Sequence, residues 1–128
     1  MNDIRHLLPG FEFPETVIQI SEEEQKHKLS CCDIDGSIYG NEVDVTMLGL
    51  PTLEILMAAG IPVLGAVHLF QKFHQFKPIY LGEQISIVGK IAKVSPHERG
   101  CILACNFSYI DEVGDVRVEA QRSGIIPI

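Results

Sequence analysis

Gly49-Leu-Pro-Thr-Leu-Glu-Ile-Leu-Met-Ala-Ala-Gly60 is the clearest helical run in a 128-residue chain that otherwise reads mostly as strands. Pro51 suits the first helical position, where a missing N–H costs nothing, and Gly60 and Pro62 stop the run. Leu53, Ile55, Leu56, Met57, Ala58 and Ala59 make the helix apolar nearly all round, so it belongs inside something. One carboxylate, Glu54, sits among them. It either points into water or is kept for chemistry, because burying an unpaired carboxylate is expensive.

Downstream the chain turns to β patterning. Ala66 to Phe76 alternates, with His68, Phe70, Lys72, His74 and Phe76 expected on one face. Pro78-Ile-Tyr-Leu-Gly82 is a corner. Gln84 to Val94 sets Ile85, Ile87 and Ile91 against Ser86, Val88, Lys90 and Ala92. A turn at Pro96–Gly100 leads into Cys101 to Asp111, and a hairpin around Glu112-Val-Gly114 leads into Asp115 to Ile126. Three successive long strands joined by short turns predict an antiparallel meander. With the helix, they predict an α+β fold in which a curved antiparallel sheet wraps around one central apolar helix.

Upstream, Leu7 to Pro14 is irregular and Thr16 to Ile20 is strand-like. Ser21-Glu-Glu-Glu24 has the form of a capping box, which predicts a helix from about residue 22 to 29. The alternative is a hairpin turn at Glu22–Lys26 followed by a strand from His27 to Ile34. The absence of an apolar stripe inclines the reading of residues 22–32 slightly towards the hairpin. Asp33-Ile-Asp-Gly-Ser37 and Tyr39-Gly-Asn41 are turn chemistry, and Asp44 to Gly49 is a short turn or helical scrap.

Length suggests a single domain over residues 1–128. No apolar run is long enough to span a membrane, and no signal peptide pattern opens the sequence, so the cytoplasm is the default expectation. The net charge of −7 argues against general nucleic-acid binding. Lys72, Lys77, Lys90, Lys93 and Arg99 nonetheless fall in one short span. They form either a solvated strand face or a basic rim for an anionic ligand such as a coenzyme A phosphate. Cys31 and Cys32 are adjacent, and Cys101 and Cys105 share a strand face with Leu103 and Phe107, which reads as packed small hydrophobes. No His, Cys, Asp or Glu spacing suggests a metal, no cofactor is implied, and neither a G-x-S-x-G nor a glycine-rich phosphate loop is present.

Phe76-Lys-Pro-Ile-Tyr-Leu-Gly-Glu-Gln-Ile85 resembles the "F-x-x-P-V-x-x-G-D-x-L" corner of hotdog-fold thioester dehydratases, hydratases and thioesterases. Leu7-Leu-Pro9 resembles the opening of β-hydroxyacyl-(acyl-carrier-protein) dehydratases, and Met47 to Glu54 resembles their "M-P-G-V-L-I-x-E" helix start. Glu54 follows Gly49 by the spacing of their catalytic acid. Their catalytic histidine position is Gly40 here. The MaoC-like "D-x-N-P-x-H" aligns with Asp33 to Ile38, keeping the aspartate and replacing the histidine by isoleucine. The non-catalytic halves of two-domain MaoC-like dehydratases also lack that motif, and Leu50-Pro-Thr52 resembles theirs.

Dehydration of a β-hydroxyacyl thioester needs a base for the α-proton, an acid for the departing hydroxyl, and N–H donors on the thioester carbonyl. The resemblance implies that Glu54 is the acid, with His68 or His74 as weaker candidates for the missing histidine. It also implies that the helix start near Gly49, Leu50 and Thr52 provides the donors, and that Leu53, Met57 and Phe70 line an acyl pocket reaching Glu54. The implied partners are acyl-CoA or an acyl carrier protein, and a second copy in a homodimer or an active homologue in a heteromer. Three functions follow: a dehydratase or hydratase with degenerate catalytic residues, a non-catalytic acyl-binding subunit, or an acyl thioesterase.

Overall fold

A computed structural model describes residues 8–127; His6 and Leu7 lie outside them. The elements are β1 (Thr16–Ile18), α1 (Glu22–Cys31), α2 (Gly49–Ala58), β2 (Val67–Gln75), β3 (Ile85–His97), β4 (Gly100–Ile110) and β5 (Val116–Pro127), with 3₁₀ turns at Gly36–Tyr39 and Val45–Leu48. The sheet order is β1-β3-β4-β5-β2, with every pairing antiparallel. The expected meander is therefore β3-β4-β5. β2 crosses over to pair with β5 and is an edge strand of the sheet among the described residues.

The inner sheet face follows from strand alternation. Ile85, Ile87 and Ile91 of β3, Leu103, Cys105, Phe107 and Tyr109 of β4, and Val118, Ala120 and Ile126 of β5 are all buried, and they form one core with Leu48, Ile55 and Leu56. Both strand cysteines are free thiols in that core. Gly89 pairs with Phe107, whose ring would stand 2.3 Å from an added Cβ, so only glycine lets the ring lie flat on β3. Phe13 stacks on Phe107 at a centroid distance of 5.8 Å.

Of residues 22–32, Glu22–Cys31 are helix and Cys32 is its C-cap, not hairpin and strand. Ser21 caps the helix: its Oγ accepts from the Glu24 N–H at 3.1 Å and the three glutamates occupy the favourable first turn. The apolar stripe is missing because a glutamine does its work. Buried Gln25 donates to the Glu42 carbonyl at 2.9 Å and accepts from the Asp44 N–H at 2.7 Å, while Leu29, one turn on, fills the remaining space. Asp33, in the left-handed conformation at φ 58°, ends the helix.

The corner between β2 and β3 is held by charge. Arg117 of β5 donates through Nε to Asp111 at 2.6 Å, through Nη2 to Glu83 at 2.6 Å, and through Nη1 to the Pro78 carbonyl. The guanidinium thereby ties the β4–β5 hairpin to the corner motif. Burial pulls the Asp111 carboxyl upward, but hydrogen bonds from Arg117 and from the Asp115 and Val113 N–H groups outweigh it and hold it below the ordinary carboxylate range.

Candidate functional site

The central helical run begins earlier than the sequence suggests. The 3₁₀ turn Val45–Leu48 leads directly into α2, and Asp44 caps it by accepting from the Thr46 N–H at 3.2 Å and the Thr46 hydroxyl at 2.7 Å. Leu50 and Thr52 are therefore a turn inside the run rather than at its free end. Buried Tyr109 seats the run from below, its hydroxyl donating to the Leu48 carbonyl at 2.6 Å.

Two hollows flank α2. The first is a cavity of ≈ 130 Å³ between the helix and the sheet. Leu53 and Leu56 face it from α2, Leu103 and Cys105 from β4, Val67 and His68 from β2, and Arg122 and Gly124 from β5. The second is a groove where Glu54 lies exposed beside Leu50, Pro51, Met47, the Val17–Ile20 stretch and Lys28. Within the chain, α2 separates Glu54 from His68. The expected pocket joining Glu54, Leu53, Met57 and the 66–76 strand is thus replaced by a cavity that keeps Leu53 and His68 but not Glu54. Leu50 and Met57 are exposed with Glu54, giving α2 an outward stripe at helical spacing instead of the all-round burial its composition suggests.

A β-bulge decides which histidine reaches the cavity. His68 pairs with Gly124 and Phe70 with Ser123, so Leu69 is supernumerary. His68, Gln71 and Phe73 consequently share the helix side, opposite Gly124, Arg122 and Ala120. Phe70, Lys72 and His74 take the outer face, which corrects the expectation that His68, Phe70 and His74 point the same way. The His74 ring packs on Phe76 at 4.4 Å, in an outer groove with Lys72, Lys90 and Glu119. The basic span does not rim the cavity: Lys72 and Lys90 face away from α2, and Lys77 pairs with Asp115 at 3.5 Å.

Behind the cavity wall, Thr52 anchors Arg122, the charged residue of the lining. Its buried hydroxyl donates to the Gly49 carbonyl at 2.6 Å and accepts from Arg122 Nη1 at 3.0 Å, with Gln71 Nε2 more distant at 3.4 Å. Burial pulls the Arg122 guanidinium below its ordinary value, against the influence of Cys105 and Tyr109. Burial also pushes the Cys105 thiol up to about 12 and the Tyr109 phenol upward, with Arg122 opposing both. At neutral pH the guanidinium is thus charged and these neighbours are not. Sequence reading missed Arg122, although a signal was present. In β5 the inward register runs Val118, Ala120, Arg122, Gly124, Ile126, and an arginine among small apolar residues on that face is out of pattern.

Among the described residues, no group of three or more His, Cys, Asp or Glu is placed to hold a metal ion, and no helix is long and apolar enough to cross a membrane.

No family model and no curated protein matches the sequence. Solved structures match its shape closely. The (R)-hydratase from A. caviae involved in PHA biosynthesis superposes with a TM-score of 0.74 at 12% identity, covering 96% of this chain and 99% of that one. The C-terminally truncated HadBC (3R-hydroxyacyl-ACP dehydratase) complex from Mycobacterium tuberculosis gives 0.77 at 15% identity, covering 96% and 97%. The MaoC-like dehydratase from Rhodospirillum rubrum gives 0.71 at 12% identity, covering 98% and 97%. With its five-stranded antiparallel sheet wrapped around α2, the chain has the hotdog fold of these hydratases and dehydratases.

Proposed function

We propose that this protein binds the acyl group of a CoA or acyl-carrier-protein thioester in the cavity beneath α2, as a hydratase- or dehydratase-like subunit that does not assemble an acid–base pair from its own chain. The observation that carries this reading is the separation of His68, on the cavity, from Glu54, in the groove beyond α2. General acid–base catalysis needs both groups within hydrogen-bond reach of one substrate. An apolar cavity with a few polar groups is, by contrast, what binding requires.

A second reading keeps Glu54 as the acid. The stripe of Leu50, Glu54 and Met57 is exposed and largely apolar, and a covering subunit would enclose the carboxylate beside residues of its own. The edge of β2 favours association of either kind: Val67, Leu69 and Phe70 are exposed on a strand whose outer edge is unpaired among the described residues, a surface suited to pairing with a second copy or a homologous subunit.

Turnover of 3-hydroxyacyl and enoyl thioesters separates the readings. The subunit reading expects thioester binding without turnover by the pure protein, and activity once an active homologous subunit is added. Turnover by the pure protein that Glu54→Gln abolishes, with folding intact, replaces it by the second reading. Free thiol release without loss or gain of an enoyl group identifies a thioesterase.

A further inference from the structure

Arg122 is an odd residue to find on the wall of an apolar cavity. A guanidinium offers five N–H donors, and here one of them is used, on the Thr52 hydroxyl. Among the described residues no carboxylate forms an ion pair with it. Its strand neighbour Arg117, by contrast, holds both Asp111 and Glu83. The remaining donors of Arg122 are not sealed in the protein, since among the described residues no buried side-chain nitrogen or oxygen lacks a partner. They open towards the space that Leu53, Leu56, Leu103 and His68 also face.

A half-buried cation without a counter-charge is costly to maintain. Thr52 alone does not explain it, because a neutral donor would serve a hydroxyl equally well. What a planar fork of donors fits is a carboxylate, held through two parallel hydrogen bonds. The space is partly open and small: at ≈ 130 Å³ it is comparable with the engineered cavity of about 150 Å³ that admits benzene, so it suits a short acyl group.

We propose that Arg122 is a specificity-determining residue that selects short acyl groups ending in a carboxylate, so that the preferred ligand is the monothioester of a small dicarboxylic acid. This rests on the thioester-binding reading above and deepens it. The methylene carbons lie against Leu53, Leu56 and Leu103, and the terminal carboxylate meets the free edge of the Arg122 guanidinium.

The test is calorimetric titration of the full chain with two pantetheine thioesters, glutaryl and pentanoyl. They share the arm common to CoA and acyl carrier protein and differ in a terminal carboxylate against a methyl. The protein's net charge of −7 disfavours the glutaryl compound in general, so a preference for it is a local effect. At least tenfold tighter binding of glutaryl-pantetheine is expected. Arg122→Leu should abolish or reverse that preference, and Arg122→Lys should keep part of it, because the charge remains while the fork is lost. Equal binding of the two compounds, or tighter binding of pentanoyl-pantetheine, overturns the inference and leaves thioester binding standing. Binding of neither overturns both. An Arg122→Leu variant that weakens both ligands equally makes Arg122 a structural tie to Thr52 and also overturns it. If Arg122→Leu does not fold, the wild-type preference and the Arg122→Lys variant decide.

Discussion

β5 carries two arginines five residues apart, and they lead opposite lives. Arg117 donates to two carboxylates and a carbonyl, and its side chain is 15% exposed. Among the described residues Arg122 donates to a single threonine hydroxyl, beside an open cavity. The first cation puts four of its five donors into the fold. The second is held in place and left with donors to spare. A structural charge is recognised by saturation of its hydrogen bonds, and a charge kept for a ligand by the lack of it.

This contrast makes stability the place to break it. The largest effect is expected from Arg117→Met, which strands two carboxylates on each other at the corner of the sheet; a fall in Tm of about 10 °C in a thermal melt is expected. A loss of only a degree or two means that the saturated site does not hold the corner. A smaller effect, of a few degrees, is expected from acid. The Asp111 carboxyl is depressed in the folded state, so its contribution is complete above the unfolded value of about 3.9 and is lost as pH falls through the lower folded value. Tm measured down this range should show a limb that Arg117→Met flattens, and an unchanged limb in that variant removes Arg117 as its cause. The smallest effect is expected from Arg122→Leu, which deletes an uncompensated charge and one hydrogen bond while adding apolar contact. Its Tm should stay within about 3 °C of the wild type or rise. A drop as large as that of Arg117→Met erases the distinction between the two arginines.

The elements of the fold were legible where periodicity is strong. The Gly49–Gly60 helix and the three strands of the meander follow directly from apolar spacing. α1 was not, because Gln25 takes a core position through hydrogen bonds to Glu42 and Asp44 that lie far along the chain. Patterning detects apolar burial, not satisfied polar burial. The site was less legible still. Two-residue alternation in β2 fails at Leu69, and from that point every inference about which histidine faces the helix changes sign. Leu53 and His68 line the cavity, and buried Thr52 meets it only through Arg122, whereas Glu54 lies in the groove on the other side of α2, a side that no resemblance of short motifs specifies. Arg122 carries no motif of its own, and only its break in the inward apolar register of β5 marks it in the sequence.

Tyr109 has one more use. The chain contains no tryptophan and three tyrosines, so its near-ultraviolet spectrum belongs to phenols. One of them lies fully buried with its hydroxyl on the Leu48 carbonyl, and its ionisation is pushed upward by burial. Its phenolate can form readily only when the start of the central helix lifts from the sheet. An alkaline absorbance titration of the unmodified protein therefore doubles as an optical gauge of how firmly that helix is seated.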